Sequence, residues 1–227
     1  MKKIALVAAK GSVGKTSLAA GLATGALLAP PDAEVALVDL DPQGSLTGWW
    51  NTRALPQPTL YEVAETPLQR AKSDLRRVGK DVVVIDRPPG FSLIHQRVIE
   101  VADLVLIPTG ASPLDTAAVE AAAERVERVE RVERAGVPFG YVPNRTMCRS
   151  RLAAETTLLL CGWRGRSFPP LHHWVAIPTA MIGGRTALEL NAGCQAAREF
   201  AALWAAVDAL FLGLPPPSAR GRRRPGR

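Results

Sequence analysis

Five short apolar runs punctuate the sequence, and each is continuous rather than alternating: Lys3–Ala9, Glu34–Leu40, Asp81–Asp86, Asp103–Pro108 and Phe139–Val142. An alternating strand leaves one face to water, whereas a continuous apolar strand must be covered on both faces. Helical candidates stand between and after them, at Lys15–Leu28, Pro67–Val78, Ser92–Val101, Leu114–Ala135 and Arg151–Leu160, and His172–Ile177 is a further strand candidate. This alternation predicts an α/β fold: a doubly wound, mainly parallel sheet with helices on both faces and right-handed crossovers. In such sheets ligands bind beyond the carboxyl ends of the strands. The loops that leave those ends are therefore where function is sought.

With 227 residues, 47% hydrophobic and 22% charged, the chain can bury a large core, which excludes disorder as its main state. The formal net charge is +7, yet Arg220, Arg222, Arg223, Arg224 and Arg227 crowd the last eight residues, so the body is nearly neutral. An anionic partner is expected, either nucleic acid or a lipid surface. The apolar start of the chain is cut short by Lys10, and the uncharged run Thr16–Pro31 is shorter than a membrane span. Cys148, Cys161 and Cys194 form no CxxC pair. Together these features predict a soluble cytoplasmic protein with reduced thiols.

Residues Arg198–Leu214 put Phe200, Leu203, Trp204, Val207, Leu210, Phe211 and Leu214 on one stripe, which predicts a terminal helix packed on the sheet. Pro215, Pro216 and Pro217 stop it. The expected organisation is one domain over residues 1–214 and a disordered basic tail over 215–227. Glu124–Arg134 repeats Glu-Arg-Val with i,i+4 pairs in the favourable order, a pattern of a solvated helix.

The first loop reads Lys10-Gly11-Ser12-Val13-Gly14-Lys15-Thr16-Ser17, between an apolar strand and a helix. Backbone N–H groups of such a loop surround phosphate oxygens. Lys15 reaches the β/γ-phosphates, the Thr16 hydroxyl takes Mg²⁺, and the helix start adds its positive end. Ala9 stands where the usual P-loop has glycine, so this is a variant. Two more strand ends carry carboxylates, Asp39-Leu40-Asp41-Pro42-Gln43-Gly44 and Asp86-Arg87-Pro88-Pro89-Gly90. Carboxylates there suit a magnesium nucleotide, which needs them for the metal shell and needs a polar group to position water.

These motifs, followed by Ala102-Asp103-Leu104-Val105-Leu106-Ile107-Pro108 and Ser112-Pro113-Leu114-Asp115, resemble the ParA/MinD deviant-Walker P-loop ATPases. The likeness is strongest to compact ParA-type (ParF-like) partition proteins and runs from Lys2 to about Asn191. It implies an ATPase using ATP and Mg²⁺. Lys10 is similar to the signature lysine that reaches the other subunit's nucleotide in an ATP-bound homodimer. Gly11, Ser12, Val13, Gly14, Lys15, Thr16 and Ser17 would hold the nucleotide. Asp41 resembles the switch I aspartate that orients the hydrolytic water, with Thr16, Asp39 and Asp86 around the metal. Asn144 matches an adenine-reading position, bordered by Pro178 and Thr179. Two departures stand out: the family usually has glycine where Ser12 stands and a small residue where Arg87 stands. Arg87 is expected to be an exposed charge at a loop start, or a contact to phosphate, DNA or a partner.

The resemblance implies a dimer that binds DNA without sequence preference, positions a cargo, and hydrolyses ATP under stimulation by a cargo adaptor with a basic N-terminal segment (ParB-like or equivalent). The cargo would be a plasmid, a chromosome region or a protein body, and the protein would be nucleoid-associated. Expected DNA contacts are the tail arginines, with Arg185 and Arg198 either further contacts or members of structural salt bridges. A MinD-like membrane-surface regulator is the alternative, but the weakly charged terminal helix argues against it, and no stable membrane insertion is expected. A metabolic ATPase of the same superfamily is a further alternative.

Overall fold

A computed structural model describes residues 1–8, 13–29, 33–62, 80–88, 98–110, 136–163 and 165–213. The strands are β1 (Lys2–Leu6), β2 (Val35–Asp39), β3 (Thr59–Glu62), β4 (Val82–Asp86), β5 (Leu104–Thr109), β6 (Phe139–Thr146), β7 (Arg166–Ser167) and β8 (Leu171–His172). The helices are α1 (Lys15–Leu28), α2 (Ser45–Asn51), α3 (Arg151–Cys161), α4 (Ala176–Ile182), α5 (Ala187–Leu190) and α6 (Gln195–Phe211). Among the described residues the sheet order is β3-β2-β4-β1-β5-β6-β7, with β8 beside β6, and every pairing is parallel. The doubly wound parallel sheet expected from the apolar runs is the one found.

Both faces of the sheet are buried, and period two sorts the residues between them. Ile4, Leu6, Leu37, Val84 and Leu106 face one cluster with α1 and α6. Ala5, Val38, Ile85, Val105 and Ile107 face the other, with Val98, Ile99 and Val101. Helix α1 is covered almost all round, because α6 packs over its back. Its small residues permit that approach. A Cβ at Gly21 would lie 2.1 Å from a ring carbon of Phe200, and one at Gly25 would lie 3.0 Å from Trp204 Cβ. Phe200, Leu203, Trp204 and Val207 are buried there, so the terminal stripe packs on the core as expected, from Gln195 to Phe211.

The structure corrects two boundaries. Strand β6 runs on to Thr146 rather than ending at Val142, because its far end gains β8 as a neighbour. The strand expected over His172–Ile177 is two separate things: His172 ends β8, and α4 begins at Ala176. Pro178 fits this helix because it lies in the first turn, where its missing N–H has no partner to lose. Strand β3 and helices α2, α4 and α5 are short or polar and carry little periodicity. The helices expected at Pro67–Val78 and Leu114–Ala135, the Glu124–Arg134 repeat and the start of Ser92–Val101 lie outside the described residues; 98–101 is helical.

Candidate functional site

Loops leaving β1, β2, β4 and β6 meet at the carboxyl edge of the sheet. Gly14 precedes α1 with φ +80, a left-handed turn where a side chain would also crowd Asn144. The turn delivers Lys15 and Thr16 to the end of β4. The Thr16 hydroxyl donates to Asp86 Oδ2 at 2.9 Å, and Asp86 Oδ1 is buried with no hydrogen-bond partner among the described residues. Asp86 is 1% exposed. Burial pushes its carboxyl up to about 6, against the Thr16 hydrogen bond and the Lys15 charge that favour ionisation, while Asp39 and Asp41 add to the rise. Lys15 is 7% exposed, and burial lowers its ammonium below the usual lysine range despite Asp86 and Asp41. Among the described residues no group of three or more His, Cys, Asp or Glu side chains gathers here, so a cation at Asp86 would rest on few protein donors. The donors are hard oxygens, one hydroxyl and one carboxylate, which suits Mg²⁺ better than a softer metal.

Asp39 and Asp41 sit at the end of β2 but in different surroundings. Asp39 accepts from the Asp41 N–H (3.0 Å), the Thr47 N–H (2.8 Å) and the Thr47 hydroxyl (3.0 Å), so it anchors the start of α2. Asp41 accepts from the Gln43 N–H at 3.0 Å and faces a cavity of about 690 Å³ shared with Lys15, Thr16, Gln43 and Pro88. Arg87 is a correction. It is fully buried, not an exposed charge at a loop start, and burial pushes its guanidinium down to about 10 against the raising effect of Asp86.

A second cavity of about 250 Å³ adjoins the first, sharing Gly14, Ser17 and Arg145, and is walled by Asn144, Trp174, Ile177, Pro178 and Phe200. Its walls are mostly apolar, as a nucleobase would need. Asn144 donates from Nδ2 to the Val13 carbonyl at 2.7 Å and accepts the Arg145 N–H at 3.0 Å, so its amide clamps the phosphate loop. Pro178 borders this cavity. Thr179 does not: it is exposed, and its hydroxyl donates to the Val175 carbonyl at 2.8 Å. Glu199 of α6 fixes the wall. It accepts from the His172 N–H (2.9 Å) and Trp174 Nε1 (2.8 Å), and it meets His172 Nδ1 at 2.7 Å.

Trp174, Arg145 and Glu199 were not read from the sequence, which offers no motif for them. Arg185 and Arg198 are exposed and have no ion pair among the described residues. Lys10, Gly11, Ser12, the Ser112–Asp115 segment, and Arg220, Arg222, Arg223, Arg224 and Arg227 lie outside the described residues. No described helix is long and apolar enough to cross a membrane.

A parallel doubly wound sheet whose first strand opens through a glycine turn into a lysine-threonine helix start defines a P-loop nucleotide-binding fold. A family model described as the CobQ/CobB/MinD/ParA nucleotide binding domain matches residues 4–159, and the chain belongs to that family. It is 40% identical over 116 residues to maintenance of carboxysome distribution protein A from Gloeobacter kilaueensis, covering 50% of this chain and 51% of that one. It is 33% identical over 117 residues to protein ParA from Rhizobium radiobacter, covering 51% of each. The chain thus spans about half the length of these curated relatives. The ATP complex of a variant McdA from Cyanothece shares the fold, with a TM-score of 0.76 at 20% identity over 95% of this chain and 97% of that one.

Proposed function

We propose that the chain is a ParA-type ATPase, with residues 1–214 as its ATPase domain and 215–227 as a basic tail. The observation that carries this reading is Thr16 docked on a buried, under-compensated Asp86 beside Lys15, in a cavity that continues into an apolar one of base size. The terminal phosphates would lie with Lys15 and Thr16, and the base against Trp174 and Pro178. Thr16 and Asp86 would hold Mg²⁺, with Asp39 behind them bracing α2. When bound, the metal offsets phosphate charge. Asp41 faces the cavity with its carboxylate already turned by the Gln43 N–H, and its role would be to orient the attacking water. Lys10 would supply its charge to the partner's nucleotide, so that ATP closes a homodimer.

In that reading the ATP dimer binds DNA non-specifically, is cytoplasmic and nucleoid-associated, and positions a cargo whose adaptor stimulates hydrolysis. The carboxysome-distribution relative favours a protein body as cargo. The membrane reading loses support from α6, because the apolar residues a lipid surface would need are buried against α1. The test is sedimentation with DNA and with anionic liposomes, each with ATP, ADP or no nucleotide. ATP-dependent DNA binding is expected. Capture by liposomes instead overturns the partition reading.

A further inference from the structure

Strand β6 is irregular at one residue. Its pairing with β8 shifts register between Asn144 and Thr146, and Arg145 between them has φ +56. A left-handed conformation is unfavourable for a long L side chain and is stored where the surroundings impose it. Along a regular strand, Asn144 and Arg145 would point to opposite faces. The irregularity re-aims the second side chain, and both residues come to line the base-side cavity. Arg145 lines the phosphate-side cavity as well. Its stem lies over the glycine turn, since a Cβ at Gly14 would stand 3.5 Å from Arg145 Cδ.

Arg145 therefore occupies the seam between the two cavities. A nucleotide filling both has its ribose and first phosphate at that seam, with the terminal phosphates out towards Lys15. We infer that Arg145 is a nucleotide-binding residue that donates to the phosphate nearest the ribose, so that it holds ATP and ADP alike. The inference rests on the nucleotide reading above and adds an affinity residue that the P-loop motif does not contain. A guanidinium suits the place because its planar fork matches phosphate oxygens and keeps its charge at every accessible pH.

The test compares wild type with Arg145→Asn and Arg145→Lys by calorimetry with ATP and ADP, and by competition with adenosine. Asparagine accepts the left-handed backbone, so the variant keeps the turn while removing the guanidinium. Arg145→Asn should weaken ATP and ADP by a common factor of roughly 10 to 100, the range for a hydrogen bond to a charged group. Arg145→Lys should recover part of that loss, and adenosine affinity should not change. Arg145→Gly, which also accepts the left-handed backbone, should bind ADP as weakly as the Asn variant. Unchanged ADP affinity in Arg145→Asn overturns the proposal while leaving the nucleotide reading intact. An equal loss for adenosine overturns the phosphate assignment. Wild type that binds no adenine nucleotide overturns both.

Discussion

Arg53 should be among the most expensive side chains to remove from this fold, although it touches neither cavity. It lies just past α2, with its side chain 1% exposed and that of its partner Glu189 10% exposed. The guanidinium meets Glu189 at 2.7 and 3.1 Å, donates to the carbonyls of Gly184 (2.8 Å) and Gln57, and lies 4.7 Å from the centre of the Trp49 ring. Glu189 also accepts from the Thr186 N–H (2.7 Å) and hydroxyl (3.1 Å) at the start of α5. The pair thus staples the α2 end, which follows the Asp39/Asp41 loop, to the α4–α5 segment. Arg53→Met keeps much of the stem and strands a buried carboxylate. Breaking a buried pair in this way costs about 3–5 kcal/mol. At roughly 2–4 °C per kcal/mol for a domain of this size, the unfolding midpoint should fall by about 10 °C.

Urea and thermal unfolding followed by circular dichroism measure that loss. The double variant Arg53→Met/Glu189→Met should recover most of it, because no charge is left unpaired. Acid sensitivity gives an independent readout. Burial alone would raise the Glu189 carboxyl, but the Arg53 and Thr186 hydrogen bonds outweigh it and hold the group below its ordinary 4.5. A depressed carboxylate contributes stability that is complete above its ordinary value and is lost as pH falls through the lower native value. Arg53→Met should therefore lose less stability than wild type below pH 4.5. A loss under about 1 kcal/mol at neutral pH, or a double variant that loses the sum of the singles, would refute the staple.

Other expectations follow from single contacts. Gly21→Ala should destabilise by about 1–3 kcal/mol in urea despite the better helix propensity of alanine, since its Cβ meets the Phe200 ring; an unchanged midpoint would disprove the α1–α6 packing. Asp86 has its native carboxyl raised from 3.8 to about 6, so the native state binds the extra proton and wild-type stability should fall as pH rises through that window. Asp86→Asn should remove that fall, be the more stable protein above pH 6 without ligand, and lose magnesium-dependent nucleotide binding; a wild type equally stable at both ends of the window would contradict this. Deleting residues 218–227 removes five arginines. It should flatten the salt dependence of DNA binding by up to about 4.5 in slope, and an unchanged slope would move the contact to the folded body.

The sheet was legible because covering both faces of a strand leaves a mark at every position: Val82–Asp86 and Leu104–Thr109 are buried throughout and apolar up to their last residue. The turn at Gly14 and the helix start at Lys15 and Thr16 were legible for a similar reason: the three residues are consecutive, and local backbone geometry dictates them. Asp86 could be placed because it ends a strand, but nothing local revealed that Arg87 beside it is buried. The lining of the second cavity was read poorly. Pro178 borders the cavity and Thr179 turns away, because the strand expected over His172–Ile177 gives way to the start of a helix.

The sequence by itself determined a parallel doubly wound sheet, a glycine turn into a lysine-threonine helix start after its first strand, and the carboxylates that close the second and third of the apolar runs it could recognise. Those features are written in short stretches, where periodicity and backbone sterics act over a few residues. Tertiary structure alone decided what walls the second cavity, what braces α2, and where Arg145 points. Glu199 reaches back to His172 and Trp174, Arg53 meets Glu189 across 136 positions, and the register shift in β6 exists only because β8 pairs with it. Such contacts carry no period and no spacing. They are settled when the core has already fixed the elements, and only then does a charged side chain find the single partner that makes its burial tolerable.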